Sequence, residues 1–82
     1  NPFNPSTTIS YSLKNSGQVD LKIFDVAGRL VRVLYRGSET AGQHEKVWLG
    51  RDQAGRAVAT GVYFYRLQAG ADVETRRMLL AK

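Results

Sequence analysis

The chain has 82 residues, 43% of them hydrophobic, with eight Gly, two Pro and no Cys, which fits one small folded domain and excludes a disulfide framework or thiolate zinc site. Twelve Lys and Arg against seven Asp and Glu give a formal charge of +5. Only Arg76 and Arg77 are adjacent, so the linear order shows no concentrated basic tract and predicts no nucleic-acid partner. No apolar run approaches the roughly 20 residues that span a bilayer, so no membrane insertion is expected.

Asn1-Pro2-Phe3-Asn4-Pro5 opens without Met and reads as extended, because each Pro fixes its own φ and pushes the preceding residue out of the helical region. Residues 1–82 are expected to form a single domain excised from a longer precursor, with Phe3 as a peg into the core's edge. Thr7–Leu13 alternates, with Ile9, Tyr11 and Leu13 on one face and Thr8, Ser10 and Ser12 on the other, which predicts a half-buried strand. Lys14-Asn15-Ser16-Gly17 is turn chemistry. Val19, Leu21 and Ile23 then mark a second strand, expected to pair antiparallel with the first.

Asp25–Arg29 breaks the alternation, and Gly28 suits a left-handed turn position. Leu30–Tyr35 is strand-like but out of phase, which predicts a bulge straddled by Val31 and Leu34. Gly37–Gly42 reads as a polar loop. In the next strand, Gln43–Leu49, His44, Lys46 and Trp48 share a face. A strand ending near Trp48 must turn, cross over and re-enter as Val62–Leu67, where Tyr63, Tyr65 and Leu67 oppose Val62, Phe64 and Arg66. Gly50, Gly55 and Gly61 supply the crossover's special backbone positions, and Asp52 can bond its own backbone. Gly70-Ala71-Asp72 makes a hairpin turn, and Val73–Ala81 closes the chain with Met78 and Leu80 on one face.

Short strands at about 8–12-residue spacing with Gly turns and no helical periodicity predict an all-β fold: a small antiparallel Ig-like β-sandwich of six to seven strands. A small open barrel is the alternative. The expected core contains Ile9, Tyr11, Leu21, Ile23, Trp48, Tyr63 and Leu67, centred on Trp48. No internal repeat stands out.

Chemistry is sparse. His44 is the single histidine and has no Cys or second His beside it, so it reads as a rim strand residue. Asp25, Asp52 and Asp72 sit at turns and form no calcium-loop pattern. Gly50 to Gly55 lacks the Gly-Lys-Ser/Thr of a phosphate loop. No catalytic, cofactor-binding or metal-ligating residue is expected, nor any cofactor. Tyr11, Tyr35, Trp48, Tyr63 and Tyr65 leave two readings open: inward-facing core residues, or a flat platform that stacks on sugar rings.

Five blocks carry a resemblance: N-P-F-N-P-S-T-T-I at Asn1–Ile9, L-K-I-F-D-V-A-G-R-L-V-R-V-L at Leu21–Leu34, A-G-Q-H at Ala41–His44, W-L-G-R-D-Q-A-G-R-A-V-A-T-G-V-Y-F-Y-R-L at Trp48–Leu67, and R-R-M-L-L at Arg76–Leu80. In this order they resemble the type A C-terminal sorting domains of type IX secretion cargo, and are similar to the Ig-like domain of the flagellar hook-capping protein. The resemblance implies a non-catalytic, monomeric C-terminal sorting domain that directs a fused cargo to the cell surface or exterior of a Gram-negative bacterium. Its implied partners are the outer-membrane secretion machinery and the upstream cargo domain, with anionic surface polysaccharide as a further candidate. Alternatives are a carbohydrate-binding or cell-adhesion accessory module of a secreted glycoside hydrolase, and a structural Ig-like spacer. The expected translocon-recognition residues are Arg76, Arg77 and Leu79, where two cations precede an apolar triplet and Leu79 faces away from Met78 and Leu80.

Overall fold

The computed structural model describes residues 5–81; Phe3, and with it the expected peg, lies outside the described residues. Six strands follow in order: β1 (Thr7–Leu13), β2 (Gly17–Phe24), β3 (Leu30–Glu39), β4 (Gly42–Trp48), β5 (Gly61–Ala69) and β6 (Asp72–Leu80). They form two antiparallel sheets, one of β1-β4 and one ordered β3-β2-β5-β6, with no helix among the described residues. This is an Ig-like sandwich.

Each strand's period of two decides which side chains meet between the sheets. β1 contributes Ile9, Tyr11 and Leu13, and β4 contributes Trp48. They pack on Val19, Leu21 and Ile23 of β2, Tyr63, Tyr65 and Leu67 of β5, and Leu80 of β6. Trp48, 1% exposed, meets Tyr63 edge-on at 4.9 Å between ring centroids. Its indole Nε1–H donates to the Arg51 carbonyl at 2.9 Å, so the one polar atom on this large ring is satisfied where the chain leaves β4.

β1 does not pair with β2. It pairs with β4, from Thr7 opposite Trp48 to Leu13 opposite Gly42. Both β1 and β2 carry a fully apolar inner face, and side-by-side pairing would leave those faces pointing the same way with nothing to cover them. Placed in opposite sheets, the two faces bury each other. Lys14–Ser16 is therefore an arch between layers, tied to the β3–β4 link by Ser16 Oγ accepting from the Ala41 N–H at 3.1 Å.

The phase slip in β3 resolves as two register shifts against β2. Tyr35 pairs with Leu21 and Val33 with Lys22, so Leu34 is extra; Arg32 pairs with Ile23 and Leu30 with Phe24, so Val31 is extra. Both residues turn in to pack against the core.

The expected polar loop from Gly37 to Gly42 is mostly strand. Gly37, Ser38 and Glu39 pair with Val19, Gln18 and Gly17, and pairing with β2 overrides the weak strand propensity of Gly-Ser. Glu39 is also held from β4 by Lys46 Nζ at 2.6 Å and His44 Nδ1 at 2.9 Å.

The sheet edges are treated differently. On β3, the Gln53 N–H donates to the Val31 carbonyl at 3.0 Å, and Gln53 Oε1 accepts from the Val33 N–H at 2.8 Å. That seals the edge with the crossover loop. β6 is tied to the start of β1 by a bridge between Ser6 and Ala81, and a cleft of about 600 Å³ separates the arch from the β5–β6 turn at the other end.

Candidate functional site

Two loops adjoin β3, one leading into it and one docked on its edge, and they are one local structure made twice. Contrary to the expectation of no internal repeat, Asp-x-Ala-Gly-Arg occurs at Asp25–Arg29 and at Asp52–Arg56. In the first, Asp25 Oδ1 accepts from the Ala27 and Arg29 N–H groups, each at 3.0 Å, and Arg29 Nε donates to Oδ2 at 3.0 Å. In the second, Asp52 Oδ1 accepts from the Ala54 N–H at 3.0 Å and the Arg56 N–H at 2.9 Å, and Arg56 Nε reaches Oδ2 at 3.2 Å. Gly28 and Gly55 both sit at φ 83°, a left-handed position that suits glycine. The backbone bonds to Arg29 and Arg56, ahead of the guanidinium charges, hold both carboxyls below the usual Asp range.

The outward residues of β2, β5 and β6 form rows. Phe24 lies opposite Phe64, and Phe64 opposite Arg77. Val62 lies opposite Leu79, and Lys22 opposite Arg66. The Arg66 guanidinium covers the Phe24 ring at 4.9 Å. A shallow groove of about 310 Å³ runs between the first loop (Asp25, Val26 and Gly28) and Phe24, Phe64, Arg66 and Thr75, with the Asp25 carboxylate already engaged by Arg29. Val26 at the tip of the first loop is 73% exposed, Leu79 61%, Leu30 53% and Val62 40%. An apolar strip rimmed by cations thus occupies one half of this face.

The three expected recognition residues do not all share this surface. Arg77 and Leu79 are on it. Arg76 has the opposite parity, lies opposite Tyr65, and is paired with Glu74 at 2.6 Å. Inward-pointing charges on an edge strand discourage a second strand from adding there. Nothing in the linear order singles out Lys22, Phe24, Val62, Phe64 and Arg66 as companions of Leu79. Their signal is the outward parity of β2 and β5, which gains meaning once those strands are known to be neighbours.

The expected core residues, Ile9, Tyr11, Leu21, Ile23, Trp48, Tyr63 and Leu67, all lie in the buried cluster. Tyr65 is buried with them and Tyr35 is half-buried, so these aromatics build no flat outward platform. Their inward parity on β1, β4 and β5 is the reason. His44 stacks on Tyr11 at 5.5 Å, donates from Nε2 to the Thr40 carbonyl at 2.7 Å, and faces Glu39 through Nδ1. It serves the β3–β4 corner. Burial, followed by the Glu39 charge, pushes the Tyr11 hydroxyl up to about 12. Lys46 lies over the Tyr35 ring at 4.0 Å as well as on Glu39, whose carboxyl it holds below the usual range.

Sandwich and topology define an Ig-like module. A family model for the FlgD Ig-like domain matches residues 4–72, and the chain belongs to that family. Among solved structures, it is similar to FlgD from P. aeruginosa, with 25% identity and a TM-score of 0.74 over 92% of this chain. The match spans 58% of that FlgD chain. No curated protein matches the sequence. The family bears out the hook-capping side of the resemblance and supports a structural Ig-like module.

Proposed function

We propose that this domain is a non-catalytic C-terminal targeting module that directs a fused cargo through the type IX secretion system to the cell surface or exterior. The observation that carries this reading is a convergence. Three of the resembling blocks, far apart in sequence, supply one outward surface: Lys22, Phe24 and Val26 from the second, Val62, Phe64 and Arg66 from the fourth, and Arg77 and Leu79 from the last. The sandwich does not bury these side chains fully, so core packing alone does not account for them. A sorting module needs an independent fold and a surface its receptor can read.

The test is a fusion to the C-terminus of a periplasmic reporter in a host with the type IX machinery. The reporter is expected at the cell surface or in the medium. A reporter that stays periplasmic refutes the reading and leaves the structural spacer, which membership of the FlgD Ig-like family favours. The carbohydrate-platform reading loses its basis with the burial of Trp48, Tyr11, Tyr63 and Tyr65.

A further inference from the structure

Most cations of this chain have a partner inside the fold. Arg29, Arg36, Lys46, Arg56 and Arg76 pair with carboxylates, and Arg32 and Arg51 donate to the carbonyls of Asp52 and Gly55. Among the described residues, Lys14, Lys22, Arg66 and Arg77 have no carboxylate within 4.0 Å; Lys14 is on the arch, and the other three are on the outer face. Lys22 and Arg66 stand directly opposite one another on β2 and β5. Like charges in that position destabilise a sheet, and apart from the Phe24 ring under Arg66 no ion pair among the described residues offsets this one. Beside them lie Phe24, Phe64, Val62 and Leu79. At the first loop, Val26 holds the place that Gln53 holds in the second, but Gln53 is docked on β3 while Val26 stands exposed at the groove.

We propose that this face docks an acidic protein segment bearing bulky apolar side chains. The segment's carboxylates meet Lys22, Arg66 and Arg77, and its apolar side chains enter the groove between Val26 and Phe64. Charge complementarity selects an acidic partner. The aliphatic rim and the aromatic floor supply the desolvated centre that a protein partner requires. A single-stranded nucleic acid would instead stack its bases on free aromatic faces. The Phe24 ring is already covered by Arg66, Phe64 is half-buried between Phe24 and Arg77, and Val62 and Leu79 offer bases nothing to stack on. This refines the targeting proposal and rests on it for the existence of a receptor.

The experiment titrates the isotope-labelled chain with a synthetic peptide of about twelve residues alternating Asp or Glu with Phe or Leu, following backbone amide shifts. Polyglutamate and oligothymidine are titrated in parallel. Shifts are expected at residues 22–26, 62–66 and 75–79. Affinity should fall at least about tenfold in Arg77→Glu and in Leu79→Ser. Lys14→Glu makes the same charge change on the arch and is expected to stay within about twofold, since bulk charge is not the determinant. Lys22→Glu removes the opposed cations, so it should abolish binding while the melting temperature holds or rises. Folding failure therefore does not mimic the result. No binding by the peptide, binding as tight by polyglutamate or oligothymidine, an equal loss in Lys14→Glu, or binding retained in Lys22→Glu would each overturn the proposal. The measurement needs no secretion machinery. An exported reporter together with a chain that ignores the peptide refutes the partner chemistry alone.

Discussion

The loops Asp25–Arg29 and Asp52–Arg56 share four residues of five, the same Asp-centred hydrogen bonds and the same glycine φ of 83°. They differ at the second residue and in what surrounds them. The first closes the β2–β3 hairpin with Val26 exposed. The second lies in the crossover, roofed by the Trp48–Arg51 bond and fastened to the β3 edge by Gln53. A short sequence can thus fix its own geometry completely while its role is set by whatever packs against its one variable position.

Trp48→Ala should break the comparison most severely. It removes the buried ring and the anchor of the second loop, and a loss of roughly 3–5 kcal/mol is expected in chemical denaturation. The first loop has no such anchor. A loss below about 1 kcal/mol would show the second loop to be equally self-sufficient.

Acid acts on both loops together. The carboxyls of Asp25 and Asp52, and of Glu39, titrate below their ordinary values in the folded chain. Depressed folded pKa values mean that the unfolded chain takes up protons first, so the stability they confer is complete above the ordinary carboxylate range and is lost as pH falls below about 4. Melting temperature against pH should show this descent, and Asp25→Asn with Asp52→Asn should flatten it.

Gly28→Ala and Gly55→Ala should cost about 1–2 kcal/mol each, since a Cβ in a left-handed conformation is strained. Neither would meet an atom within 4 Å, so the two costs should be equal despite the different surroundings. Unequal denaturation midpoints would show that packing, not backbone, sets the requirement.

The smallest effects sharpen the contrast. Gln53→Val should cost about 1 kcal/mol by stripping the side-chain acceptor from the Val33 N–H. Val26→Gln, the converse change in the same turn, should stay within about 0.5 kcal/mol. Amide exchange at Val33 is expected to quicken only in the first variant.

Periodicity and turn chemistry were enough to place Ile9, Tyr11 and Leu13 on one face of β1, to put Trp48 among the buried residues, and to locate the irregularity at Val31 and Leu34. Those features depend on the residue and its immediate neighbours, because alternation alone assigns a side to each position. Alternation says nothing about which strand lies alongside. That β1 joins β4, that Gly37–Glu39 remains strand, and that Lys22, Arg66, Arg77 and Leu79 form one surface followed only from the sheet order β3-β2-β5-β6 with β1-β4 packed across it. Strand order is settled by the joint burial of all the apolar faces at once. Charges from three distant strands add up to a patch only after that burial has brought the strands together.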